Sequence, residues 1–257
     1  LLKKMWQAIM LEVGNEPLVL VFVLIAAFIS ATIHSVSGLA GALILLIFLV
    51  PIFDIKTSVP IISVSMIISN LFRACLFKES LIYPIFFSII CSALPGMTLG
   101  TILIIYLPKE IILLIFSIFL FTSIPLQRIF HKKGWQVNNW GYLSLGSVYG
   151  LVGGLVMGAG LILAPFFLAS GLISAQISAI ASLLGLIMNI TKGLLFGMSP
   201  LLGTSLVILG LAMGFCSIPG AYLGRWILKY VSIKFQKLII EGIMVLGAIF
   251  FLYQYFE

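Results

Sequence analysis

Ser63-Val64-Ser65-Met66-Ile67-Ile68-Ser69-Asn70-Leu71-Phe72-Arg73-Ala74-Cys75-Leu76-Phe77 carries Ser63, Met66, Asn70, Arg73 and Phe77 at steps of three and four residues. That spacing puts them on one face of an α-helix. The stripe recurs 119 positions later as Ser182, Gly185, Asn189, Lys192 and Phe196. A second pair follows: Pro95-Gly96-x-x-Leu99-Gly100 matches Pro219-Gly220-x-x-Leu223-Gly224 at an offset of 124. An apolar helix gains nothing from a cation and an amide unless they meet something polar. Two copies of such a stripe point to a two-fold-related pathway across a bilayer.

The surrounding sequence is membrane material. Hydrophobic residues make up 62% of the 257 and charged residues 8%, with a mean hydropathy of +1.29. A soluble domain carries about a quarter charged residues. The first apolar run, Leu18 to about Thr32, leads into more membrane sequence, so it reads as a span and not as a cleavable leader. The net charge of +7 gathers at Arg128, His131, Lys132 and Lys133, and again at Arg225, Lys229, Lys234 and Lys237. The positive-inside rule makes both loops cytoplasmic. No nucleic-acid partner is expected, because these residues flank apolar helices and no soluble module accompanies them. Cys75, Cys91 and Cys216 lie in apolar segments without a C-x-x-C pair and behave as small hydrophobes. No disulfide, metal site or cofactor is expected.

About 20 apolar residues span a bilayer. Residues 1–126 read as one repeat, with segments Pro17–Ser35, Leu39–Phe53, Ser58–Phe77, Leu81–Leu107 and Glu110–Leu126. Residues 127–139 form a basic cytoplasmic linker. Residues 140–257 read as the second repeat, with segments Trp140–Met157, Gly160–Ser170, Ala175–Gly197, Leu201–Leu228 and Ile233–Tyr255. Trp140 to Ser170 is only 31 residues, roughly 46 Å of helix, too short for two crossings. Its centre, Gly153-Gly154-Leu155-Val156-Met157-Gly158-Ala159-Gly160, is poor material for an unbroken helix. A broken or re-entrant hairpin is therefore expected there, and a weaker one at Ser35–Gly41. A hairpin returns to its own side, and three further helices follow in each half. The expected fold is an all-α polytopic membrane protein, an inverted repeat of two bundles, each a hairpin plus three transmembrane helices. Both termini then face outward from the cell membrane, and the Arg225–Lys237 loop falls inside, in agreement with its charge.

Inverted repeats with interrupted helices are common in secondary transporters. A broken helix offers backbone N–H groups to an anion, and glycine allows close approach. This makes Ser37, Gly38, Gly158 and Gly160 candidate substrate contacts, although glycines also serve tight helix packing. Asn70 and Asn189 join them, because an unpaired amide in hydrocarbon costs several kcal/mol. Arg73 and Lys192 either snorkel to the interface or attract and gate an anion at opposite mouths. His34, beside the first interruption, is read as an anion donor, a proton carrier or a satisfied core histidine. Pro95, Pro165 and Pro219 are candidate hinges. Glu241 is the one acid inside a predicted span, with Lys237 four residues earlier as its expected partner. Cation-coupled pumps usually need a buried carboxylate, which this chain barely offers. A monovalent anion leaving a negative interior gains about 2.3 kcal/mol per 100 mV, so export driven by potential alone is expected.

Gly150-x-x-Gly153-Gly154-x-x-x-Gly158-Ala159-Gly160-x-x-x-x-Pro165 resembles the glycine-rich signature of the TauE/SafE family, the sulfite exporter TauE-like permeases. Gly38, Gly41 and Pro51 look like a diverged first copy, and with the Pro-Gly motifs the resemblance covers nearly the whole chain. The signature lands on Gly153, Gly154, Gly158, Gly160 and Pro165, with Ala159 where the family usually has a third glycine. The resemblance implies membrane transport of sulfite, sulfonates and related organosulfur anions, often as export. The partners expected are thus a small anionic substrate and the lipid bilayer. An anion channel is the nearest rival. An intramembrane hydrolase built on Ser37-Gly38 and His34 lacks a second helical histidine, since His131 lies in the basic linker, so no enzyme is expected.

Overall fold

The computed structural model describes residues 16–37, 41–133 and 137–257, and every regular element among them is helical. The first half holds α1 (Pro17–Ser37), α2 (Gly41–Phe77), α3 (Tyr83–Tyr106) and α4 (Lys109–Lys133), with a 3-10 turn at Lys78–Ser80. The second half holds α5 (Asn139–Leu155), a 3-10 turn at Ala159–Ile162, α6 (Ala164–Ala169), α7 (Ser174–Gly197), α8 (Thr204–Leu228) and α9 (Ile233–Phe256).

Among the described residues, seven helices are long and apolar enough to cross a membrane. Their outer faces stay apolar: Leu18, Phe22, Ile25 and Ile29 on α1, and Phe215, Tyr222 and Trp226 on α8, are all exposed. In water such faces would drive aggregation; against acyl chains they are at home. Six serines of α1 and α2 point the other way, Ser30, Ser35, Ser58, Ser63, Ser65 and Ser69, all buried. This is a multi-pass membrane protein with a polar stripe turned inward.

Local signals set the boundaries. Pro84 sits in the first turn of α3, where a missing N–H costs nothing. The Asn138 side chain caps α5 by accepting the Gly141 N–H at 2.9 Å. Ser232 caps α9 through the Phe235 N–H at 3.3 Å. The expected interruption of the second half is present. α5, 17 residues long, ends at Leu155, and α6, 6 residues long, is about 9 Å of helix and cannot cross. Ala159, Leu161, Leu163 and Phe167 of this stretch are buried, so the hairpin tip lies within the protein. The matching first-half interruption, with Gly38, lies outside the described residues.

One expectation is corrected. The segments ending at Phe53 and starting at Ser58 are joined by a kink and not by a loop. Asp54 takes φ 64 and ψ 162, and its carboxylate accepts the N–H of Ile55. α4 continues to Lys133, through the first part of the stretch read as the basic linker. Arg128 of α4 also reaches Glu241 at 2.8 Å, a long-range ion pair that helix spacing could not reveal; the expected partner Lys237 has its side chain outside the described residues.

The Pro-Gly motifs explain how the halves interlock. α3 packs along α5, and α8 along α1. A β-carbon on Gly96 would lie 2.9 Å from the carbonyl oxygen of Ser147, and one on Gly220 2.3 Å from that of Phe28. Four residues on, Gly100 meets the carbonyl of Leu151 at 2.4 Å, and Gly224 that of Thr32 at 2.3 Å. Phe28 and Ser147 are 119 positions apart, as are Thr32 and Leu151. Each half lends its first helix to the Pro-Gly helix of the other, contacts consistent with a two-fold relation between the halves.

Candidate functional site

α2 beyond Asp54 packs against α7 at the centre of the molecule, bringing the two polar stripes together. Asn70 fills space left by Gly185: a β-carbon there would lie 2.7 Å from Asn70 Nδ2. One turn along, Arg73 Nη2 donates to Asn70 Oδ1. Asn189 Nδ2 donates to the carbonyl of Gly185 at 2.7 Å. Lys192 Nζ donates to the carbonyl of Val156 at 3.4 Å and lies 3.9 Å from Met157 Sδ.

Both cations are interior. Arg73 and Lys192 are each 2% exposed, which overturns the snorkelling alternative. Among the described residues Arg128–Glu241 is the sole ion pair, so neither buried cation has a carboxylate partner. Arg73 Nε has no hydrogen-bond partner among the described residues.

The interruption after α5 supplies the opposite wall. Val156 is extended at φ −128 and ψ 161. Gly158 is left-handed at φ 86, a conformation natural to glycine. The Leu161 N–H closes onto the Gly158 carbonyl at 3.0 Å. The N–H groups of Ala159 and Gly160, at the head of this turn, have no partner among the described residues. The half-helix expected here is a 3-10 turn of 4 residues followed by the 6 residues of α6, so its dipole is small. The positive charge at this wall therefore belongs to Lys192.

Between these parts lies a cavity of about 90 Å³. Asn70, Asn189, Lys192 and His34 give it polar groups, and Gly158 and Gly160 give it exposed backbone. His34 is buried, and its Nδ1 accepts the Gly41 N–H at 3.1 Å. Of the other expected residues, Arg73 reaches the site through Asn70, and Ser37 ends α1 half-buried outside the cavity wall. Gly38 lies outside the described residues. Pro95 and Pro219 sit inside α3 and α8 without ending them, and Pro165 lies in the first turn of α6.

Tyr149, Gly153, Met97 and Met188 also line the cavity. Tyr149 and Gly153 lie four residues apart, on one face of α5. That spacing was available in the sequence; the arrival of Met97 from the other half was not.

The sulfite exporter TauE/SafE family model matches residues 23–251, nearly the whole chain. No curated protein and no solved structure gives a significant match.

Proposed function

Because the chain belongs to the sulfite exporter TauE/SafE family, we propose that it carries sulfite or small sulfonates out of the cell by alternating access around the buried cavity. The observation behind this reading is Lys192, a buried cation at the cavity wall with no carboxylate partner among the described residues. An uncompensated buried charge costs several kcal/mol. An anion in the cavity offsets that cost. The space suits a small oxyanion or several waters, since one water needs about 10–15 Å³ by the same measure.

The two carboxamides and the N–H groups of Ala159 and Gly160, unpartnered among the described residues, supply neutral donors for oxyanion oxygens. Lys192 attracts the anion at the cavity wall, and Arg73, one turn beyond Asn70, adds positive charge behind that amide. Residues 1–126 and 140–257 act as inverted copies about a cytoplasmic linker at 127–139, with both termini outside the cell membrane. The reciprocal seating of α3 on α5 and α8 on α1 supports that arrangement, because rocking one half against the other exchanges equivalent contacts. Ion movement down the membrane potential drives export, at about 2.3 kcal/mol per charge per 100 mV.

Sulfite efflux from proteoliposomes tests this. Saturable, potential-dependent flux is expected. Flux that needs a proton gradient and persists unchanged at zero potential would overturn the driving mechanism. Non-saturating flux would indicate a channel.

A further inference from the structure

In sequence, Leu39-Ala40-Gly41 stands 119 positions before Gly158-Ala159-Gly160. At the same offset His34 corresponds to Gly153, Gly41 to Gly160 and Ser30 to Tyr149. The paired contacts at Phe28 and Ser147, and at Thr32 and Leu151, hold this register along α1 and α5.

The chemistry at the two places differs. In the first half, the Gly41 N–H is donated to His34 Nδ1 at 3.1 Å. Ser30 Oγ donates to the Gly41 carbonyl at 2.6 Å. A β-carbon on Gly41 would lie 2.2 Å from the imidazole, so ring and backbone are in close contact. In the second half, the Gly160 N–H has no partner among the described residues, and Gly153 presents no side chain. A β-carbon on Gly153 would meet Met188 Cε at 2.9 Å, with Ala159 Cβ and Met97 Cε at 3.5 Å.

To a backbone N–H, an imidazole lone pair and an oxyanion oxygen are alternative acceptors. We propose that His34 is a built-in occupant of the first-half anion position. The cavity is therefore one-sided. Lys192, Asn189 and the Gly160 backbone hold the anion, while His34 closes the other side and limits anion size. His34 and Gly153 are then a specificity-determining pair, one filling its half-site and the other leaving its half-site open. This rests on the anion-transport reading and adds to it which half binds and what sets the size limit.

The test is binding of sulfite, methanesulfonate and benzenesulfonate to the full chain in detergent, by calorimetry. His34→Ala removes the acceptor and enlarges the cavity, so affinity for the larger sulfonates relative to sulfite should rise about tenfold, the scale of a small volume change in a pocket. Gly153→Ala must displace the Met188 methyl from the cavity wall, so the same ratio should fall by about tenfold. His34→Asn keeps an acceptor in a smaller side chain and should fall between wild type and His34→Ala. If no His34 variant folds, the ratio for Gly153→Ala decides. An unchanged ratio in the folded variants overturns the proposal. So does loss of sulfite binding itself in His34→Ala and His34→Asn, which would make His34 a direct ligand. Wild-type protein that binds none of the three anions would refute the transport reading instead.

Discussion

Lys192 of α7 ends on the carbonyl oxygen of Val156, the first residue past the end of α5, at 3.4 Å. One cation thereby satisfies an orphan carbonyl of the interrupted helix and holds its charge at the cavity wall. Structure and attraction for an anion are combined in a single side chain, and replacing it should separate the two.

Lys192→Met removes the charge and keeps most of the stem. Anion affinity should fall about tenfold to a hundredfold, the range for hydrogen bonds to charged groups. Unliganded stability should change little, because removal of a buried charge without an acidic partner offsets the donor lost by the Val156 carbonyl. Thermal unfolding with and without sulfite checks both. A variant that is less stable and still binds sulfite would contradict the assignment.

Asn70→Ala leaves the Arg73 guanidinium without its acceptor. The expected cost is about 1–3 kcal/mol of stability, together with loss of transport. Asn70→Asp should restore stability by giving Arg73 a carboxylate, yet depress anion flux by cancelling positive charge. Ser37→Ala, outside the cavity wall, should keep transport. Unfolding curves and liposome flux on the three variants distinguish packing from charge.

The seam between the halves makes a prediction of its own. Gly100→Ala and Gly224→Ala place a methyl against backbone carbonyls at 2.4 and 2.3 Å. Neither helix can yield locally, so each should lose about 1–3 kcal/mol. Gly197→Ala meets nothing within 4 Å and should stabilise slightly, by under about 1 kcal/mol. Comparable effects at all three positions, measured by chemical unfolding in detergent, would show that close helix approach is not the constraint.

Gly158 and Gly171 share a left-handed backbone, at φ 86 and φ 74. Alanine at either should cost about 1–2 kcal/mol from backbone strain alone. Gly158 lines the cavity, whereas a β-carbon on Gly171 would meet nothing within 4 Å. Gly158→Ala should therefore reduce sulfite flux well beyond its stability loss. Gly171→Ala should lose only stability.

Much of this architecture is written in local spacing. A helical period of 3.6 residues puts Ser63, Met66, Asn70, Arg73 and Phe77 on one face whatever surrounds them. Runs of glycine disfavour helix, so the interruption after Leu155 was legible. Where local preference is weak, the reading missed. The kink at Asp54 depends on a positive φ held by its own carboxylate, which no glycine or proline announces. Ser37, a candidate contact because it adjoins the first glycine break, does not line the cavity, because packing and not the break decides which turn faces it.

The sequence by itself determined that this chain is helical, lives in a bilayer, carries duplicated polar stripes and breaks its helix at a glycine run. These follow from composition and short-range periodicity, which act within a few residues. Tertiary structure decided that Arg73 and Lys192 face the interior and not the lipid headgroups. It also decided that Glu241 pairs with Arg128, that Met97 and Tyr149 close one cavity, and that His34 occupies a position its counterpart Gly153 leaves open. The reason is physical: the cost of burying a charge or an amide is set in part by groups distant in sequence, such as Val156 for Lys192, which only packing brings within hydrogen-bond reach.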